Sequence, residues 1–259
     1  MRQDSVSIKR FYAGALGRAA SWALMSRVGD LWESVDRLSL LGVGYPMPIM
    51  DGLAANAESA PAVLPDAAGL VRWNPAERGN ATLVSPEDRL PFPDSTFDRA
   101  VMLHALEEAE NPRAVCREVW RVMAPEGRIV VAAANRAGLW ARAERTPFGH
   151  GRPWTLRQLS SLLSDCAFQV TASTHALFMP PVGLSLVTAG VQGWERAGRT
   201  IAPALGGVVL VEAVKRLYIQ PGGGAVAPAV SVAKARKAAT ATPQQRIGPN
   251  TPRDSAKRD

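Results

Sequence analysis

The chain has 259 residues, 47% of them hydrophobic, which suffices for one well-buried core and is short for two independent catalytic domains. Its net charge is +7, but Lys234, Arg236, Lys237, Arg246, Arg253, Lys257 and Arg258, opposed only by Asp254 and Asp259, place +5 of that beyond residue 221 and leave +2 for the rest. The basicity therefore describes a tail and says little about the folded part. Cys116 and Cys166 form no CxxC and have no metal-like spacing, which excludes a disulfide framework and fits a reducing cytoplasm.

The N-terminus MRQDSVSIKRFY is charged and has no apolar h-region, so no secretory signal is expected. From Ile8 to Trp32, Phe11, Tyr12, Leu16, Ala19 and Ala23 recur at helical spacing and predict one amphipathic helix. Ser39 to Val43 reads as a buried strand that leaves the sheet through Gly44-Tyr45-Pro46, and Ile49 to Ala57 as a helix. Further strands are expected at Ala62–Leu64, Ala81–Val84, Arg99–Leu103 and Arg128–Ala133.

Before the last of these, Asn111 caps a helix with Pro112 at its first position and Val115, Val119 and Val122 along one stripe. Thr155 to Gln158 reads as a capping box ahead of Leu159, Leu162 and Leu163. A strand is expected at Phe168–Ser173, then a helical or irregular stretch around Val182–Arg199. Gly207 to Ala213 reads as the final strand or as an edge partner. The uncharged run Leu177–Trp194 is broken by Pro180, Pro181 and glycines, so it predicts a loop and a buried helix, not a membrane span of roughly 20 apolar residues. Beyond Pro221 almost no large apolar residue remains, and disorder is expected. Strands alternating with helices predict an α/β fold built on a mainly parallel sheet.

Three motifs follow one another in order. Leu90-Pro91-Phe92-Pro93-Asp94-Ser95-Thr96-Phe97-Asp98 is followed by His104-Ala105-Leu106-Glu107, and then by Arg117-Glu118-Val119-Trp120-Arg121-Val122-Met123-Ala124-Pro125-Glu126-Gly127. Together they resemble the LPFPD-x-x-FD, H-x-L-E and R-E-x-x-R-V-L-x-P-G-G signatures of the class I S-adenosylmethionine-dependent methyltransferases, methyltransferase type 11 group, over roughly residues 37 to 175. The resemblance implies a Rossmann-like, doubly wound, seven-stranded sheet with helices on both faces. It also implies S-adenosylmethionine as cofactor, held at the carboxyl ends of the parallel strands, and a small-molecule acceptor. The organisation expected is an N-terminal helical segment over residues 1–36, packed on the sheet or folded over the cleft, a methyltransferase-like domain over 37–220, and a basic tail over 221–259.

By the same resemblance, the cofactor turn is Leu41 to Pro48, with Gly42, Gly44 and Tyr45 against the cofactor. Gly42 stands where the family has an acid, while Pro46 and Pro48 replace two further glycines, removing donors and fixing φ. Asp66 is the candidate for the ribose hydroxyls, and Glu87 or Asp88 for the adenine. His104, at the end of the fourth strand, either lines the methyl-transfer region as a base or is a structural histidine. Glu107 is expected to support the loop that follows it. His150, in Gly149-His150-Gly151, lies either in an acceptor-shaping insertion or in an exposed turn.

No metal-ligand cluster and no specific nucleic-acid element is evident. The tail, with Lys234, Arg236 and Lys237 but no interleaved aromatics, reads as a solvated linker that leaves room for a protein partner. The reading is thus methyl transfer to a small-molecule acceptor in the cytoplasm. The alternative is an inactive methyltransferase-like binding or scaffold protein. A dinucleotide oxidoreductase fits less well, because Gly42 to Met47 lacks the third glycine of GxGxxG.

Overall fold

The short apolar runs Leu40–Gly44 and Ala62–Leu64 become strands buried along their whole length, as parallel strands covered on both faces are. The computed structural model describes residues 3–32, 34–77, 79–217 and 230–231. Its strands are β1 (Leu40–Gly44), β2 (Ala62–Leu64), β3 (Thr82–Val84), β4 (Phe97–Leu103), β5 (Met123–Ala134), β6 (Phe168–Ala176), β7 (Val208–Lys215) and β8 (Val230–Ser231). They form one sheet in the order β3-β2-β1-β4-β5-β7-β6-β8.

β1 pairs in parallel with β2 and β4, β2 with β3, and β4 with β5. β7 runs antiparallel between β5 and β6. The expected seven-stranded, mainly parallel sheet is present, and the two-residue β8 pairs in parallel with Ala172–Ser173 of β6. Apart from β8, the tail expected to be disordered lies outside the described residues. The edge-partner alternative for Gly207–Ala213 is corrected: all of β7 is buried inside the sheet. Its charged residues tolerate this because Glu212 meets Arg128 at 3.0 Å and Lys215 donates to the Met123 carbonyl at 2.6 Å.

Two apolar layers flank the sheet. Along β4, Val101 and Leu103 face one layer while Ala100 and Met102 face the other, the period of two that a strand imposes. α4 (Pro112–Val122) and α5 (Leu156–Asp165) cover the second layer with Val115, Val119, Leu159 and Leu163. Both caps are formed as the sequence predicts: Asn111 accepts from the Ala114 amide, and Thr155 and Gln158 close a capping box.

The first layer is covered from the N-terminus. The single helix expected over Ile8–Trp32 is corrected to a hairpin, α1 (Ser5–Ala13) and α2 (Ala15–Leu31), broken at Gly14, whose backbone is extended. Gly17 makes the hairpin close: a Cβ there would lie 2.1 Å from the Phe11 carbonyl oxygen. α2 buries Ala20, Ala23, Leu24 and Val28. The helix expected over Ile49–Ala57 is one turn only, α3 (Met47–Met50), followed by turns. With α3 so short, α2 supplies much of the helical cover on that face. The insertion between β6 and β7 holds α6 (Ser185–Ala189) and α7 (Val191–Ile201). The buried helix expected within Leu177–Trp194 is also corrected, because α6 buries none of its residues.

Candidate active site

The carboxyl edge of β1 and β4 is where two chain reversals bring backbone groups together. Gly44 has φ +89°, and a Cβ on it would sit 2.3 Å from the Leu103 carbonyl oxygen, so only glycine fits. Tyr45 then donates its amide to that same carbonyl at 2.7 Å. Above Gly42, Met50 Sδ and Pro46 Cγ lie 2.2 and 2.4 Å from where a Cβ would be. The turn is therefore filled by its own side chains, and Pro46 and Pro48 present no amide hydrogens.

His104 follows β4 at φ +52°, in the left-handed region. This corner aims the imidazole under α1, where Nε2 lies 2.7 Å from Tyr12 Oη. Phe148 packs on the histidine ring at 4.6 Å, and Tyr12 stacks on Tyr45 at 6.0 Å with the planes 5° apart. Phe11 and Trp140 extend the ring cluster. Burial drives the His104 pKa down to about 3 and the Tyr12 hydroxyl well up, so both are neutral and one hydrogen serves both atoms.

Beside this plug opens a cavity of about 470 Å³, within the roughly 300–1,000 Å³ range of small-molecule sites. Tyr12, Trp22, Tyr45 and Trp73 give it aromatic walls, while Lys9, Arg18 and Arg72 bring positive charge and Asp51 negative. Asp51 accepts from the Trp73 indole at 2.6 Å and, after burial, helps to raise the Tyr45 hydroxyl.

Of the residues singled out in the sequence, Gly42, Gly44, Tyr45 and His104 meet at this edge. Asp66 is exposed at the start of a 3-10 turn after β2, where it accepts the Ala67 amide at 2.8 Å. Glu87 is buried and Asp88 exposed after β3. None of Asp66, Glu87 and Asp88 lines the cavity. His150 bonds the Glu144 carbonyl of its own loop at 2.7 Å. Glu107 accepts the Ala134 amide at 2.8 Å, and its carbonyl accepts from Arg152 at 2.7 Å, which ties the end of β5 to the following loop. Tyr12, Asp51 and Trp73 escaped the sequence reading. A tyrosine on an apolar helical stripe reads as packing, and Asp51 and Trp73 lie 22 residues apart with no shared motif.

S-adenosylmethionine joins a sulfonium cation, a carboxylate, a ribose diol and an adenine. The cavity offers a counterpart for each: aromatic faces for the cation and base, three cationic side chains for the carboxylate, and Asp51 for hydroxyls. The fit is to side chains, because the turn that would lend backbone amides is packed shut.

The first and third sequence motifs do different work, at the opposite edge of the sheet. Arg121 bonds the Leu90 and Phe92 carbonyls at 3.1 and 3.0 Å, Asp94 at 2.6 Å and Glu118 at 2.6 Å, while Glu118 accepts the Leu90 amide at 2.7 Å. Asp98 accepts the Ser39 amide at 3.0 Å, fixing the start of β1. These residues clamp the loop before β4 onto α4.

Comparison with known proteins agrees with this architecture. Residues 53–131 match the methyltransferase domain family, beginning just beyond the packed turn. A demethylmenaquinone methyltransferase of Mycolicibacterium paratuberculosis is 29% identical over 201 residues, covering 71% of this chain and 82% of the relative. One from Mycobacterium bovis is 34% identical over 97 residues, which span 37% of this chain and 39% of the relative. Among solved structures, a SAM-dependent methyltransferase from Thermotoga maritima superposes with TM-score 0.58 at 18% identity, covering 80% of this chain and 94% of that one. Another, from Mesorhizobium loti, gives 0.53 at 16%, covering 77% and 99%. By its sequence match and its strand order, the chain is similar to the class I S-adenosylmethionine-dependent methyltransferases.

Proposed function

We propose that the chain binds S-adenosylmethionine in the cavity between the β1 turn, Trp73 and the α1–α2 hairpin, and methylates a small ring-bearing acceptor seated beside His104. The observation that carries the reading is the cavity itself, in which aromatic, cationic and carboxylate side chains converge on the carboxyl edge of β1. When bound, the cofactor supplies an electrophilic methyl group on sulfur. The chain's part is then mainly positioning and the exclusion of water.

Asp51 is assigned to the ribose hydroxyls, Trp73 and Tyr45 to the adenosine and sulfonium, and Arg72 with Lys9 or Arg18 to the carboxylate. Gly42 and Gly44 allow the turn that brings Tyr45, Met47 and Pro48 to the cavity wall. Asp66, Glu87 and Asp88 remain the alternative acids implied by family resemblance. His104 is neutral at physiological pH, and its Nε2, the atom Tyr12 engages in this structure, is assigned to holding an acceptor hydroxyl in place by a hydrogen bond. The ring cluster of Phe11, Tyr12, Trp140 and Phe148 matches an apolar aromatic acceptor, and relatives named for demethylmenaquinone support a quinone-like one. The reaction is assigned to the reducing cytoplasm, where Cys116 and Cys166 stay thiols.

The test is calorimetric titration of the full chain with S-adenosylmethionine and S-adenosylhomocysteine. Micromolar binding that falls in Asp51→Ala and Trp73→Ala supports the cavity. A fall only in Asp66→Ala, Glu87→Gln or Asp88→Ala moves the site to the family positions. No heat at millimolar ligand overturns the enzyme reading in favour of a methyltransferase-like scaffold.

A further inference from the structure

We propose that the insertion between β6 and β7 is a docking element that seats the protein on an anionic lipid bilayer. Between Leu177 and Lys215 the only acids are Glu195 and Glu212, and both are buried in ion pairs, with Arg27 at 3.4 Å and Arg128 at 3.0 Å. The exposed charges of the insertion, Arg196 and Arg199, are therefore all positive. The nearest exposed acid on the element beneath, Asp30 of α2, is engaged by Arg27 at 2.8 Å and faces Arg199 at 3.8 Å.

Against this charge the insertion exposes large apolar side chains that fold into no layer of the core: Leu186 is 86% exposed, Ile201 81%, Leu184 65%, and Trp194 41%. At 100° per residue, α7 divides into three rows. Val191, Glu195 and Gly198 face inward, and Gly198 lies so close to Phe178 that a Cβ would meet its ring at 2.3 Å. Trp194, Ala197 and Ile201 make one outer flank, and Gln192, Arg196 and Arg199 the other. α6 adds Leu184 and Leu186 at its start.

An apolar flank carrying a tryptophan beside a flank whose only charges are cationic is the chemistry of an element lying in a bilayer interface. Crossing is ruled out for these helices, since none of the described helices is long and apolar enough. A second copy on the same patch would bring two like-charged flanks together with no exposed acid of the insertion to offset them, whereas an anionic headgroup layer complements them. The β6 end that launches the insertion lies at the same edge as His104, so a bilayer-dissolved acceptor would reach the site without crossing water. The inference rests on the insertion alone: lipid binding and methyl transfer are read by separate assays, and either can fail without the other.

The experiment is flotation of the full chain with vesicles of phosphatidylcholine alone and with about one-third phosphatidylglycerol, at low and high salt, alongside size-exclusion light scattering. The wild type is expected to float with the anionic vesicles. Leu186→Glu/Ile201→Glu should weaken that by about tenfold or more, while Arg196→Gln/Arg199→Gln flattens the salt dependence. All substituted side chains are exposed, and circular dichroism confirms that the variants fold. Absence of flotation overturns the proposal, as does flotation unchanged in the Leu186→Glu/Ile201→Glu variant, which would assign lipid binding to the basic tail. A dimer that this variant dissolves overturns it in favour of self-association.

Discussion

Tyr12 of α1 places its hydroxyl 2.7 Å from Nε2 of His104, joining the N-terminal hairpin to the corner that ends β4 across 92 residues of sequence. Both groups are buried, so neither finds water as a substitute partner. Tyr12→Phe should keep the stack on Tyr45 and lose about 1–3 kcal/mol, the cost of leaving the imidazole nitrogen unsatisfied. Urea unfolding of the two proteins measures it. A loss below a few tenths of a kcal/mol would mean that solvent reaches His104.

The same pair sets a pH dependence. An unfolded imidazole gains its proton below about 6.5, whereas buried His104 waits until about 3. Across that window the unfolded state binds more protons, so stability falls as pH falls, by up to about 1.4 kcal/mol per pH unit; above the window the group contributes no slope. Melting temperatures of wild type and His104→Asn between these limits should diverge as the pH approaches neutrality and converge in acid. Parallel curves would place the histidine in solvent.

At the β1 turn, Gly44→Ala combines a left-handed φ with a clash against the backbone oxygen of Leu103, and about 1–3 kcal/mol is expected from conformation alone. Gly42→Ala meets side-chain atoms of Met50 and Pro46, and Met50 can swing aside, so the loss should be smaller. Thermal melts that rank them the other way would show that the turn is not held as described.

Arg121→Ala should lower stability by about 1–2 kcal/mol, the modest figure reflecting a guanidinium about one-third exposed, and leave cofactor affinity unchanged. Calorimetry on the folded variant separates the two effects. A large change in affinity would contradict the assignment of the family motifs to clamping the loop before β4.

Glu195 joins α7 to α2 through Arg27, and its other oxygen accepts the Phe178 amide at 2.9 Å. Removing one partner of a buried pair leaves the other charge stranded, so Glu195→Ala should cost about 3–5 kcal/mol. Glu195→Gln, which keeps the amide acceptor, should cost less. If Arg27→Met restores stability to Glu195→Ala, the stranded cation is the cause; no restoration in the double variant would sink that account.

Local signals carried much of the fold. The caps at Asn111 and Thr155, the apolar runs of β1 to β6 and the three motifs all act within a few residues of chain, where side-chain chemistry and periodicity decide the outcome. What the sequence by itself determined is therefore the sheet, its two covering helices α4 and α5, and the family they resemble. Of the motifs that carry the resemblance, the first and third report on the clamp around Arg121, and only the second, through His104, on the ligand edge.

Only the tertiary structure decided the rest. Gly14 breaks the N-terminal helix because Gly17 lets the two halves pack at backbone contact, a gain invisible to helical periodicity. β7 lies inside the sheet because Arg128 and the Met123 carbonyl, remote in sequence, satisfy its Glu212 and Lys215. Tyr12, Asp51 and Trp73 reach the candidate site from unconnected segments, and α6 stays exposed although its composition is that of a core helix. Burial and long-range pairing are properties of the folded chain as a whole, so no window of sequence contains them.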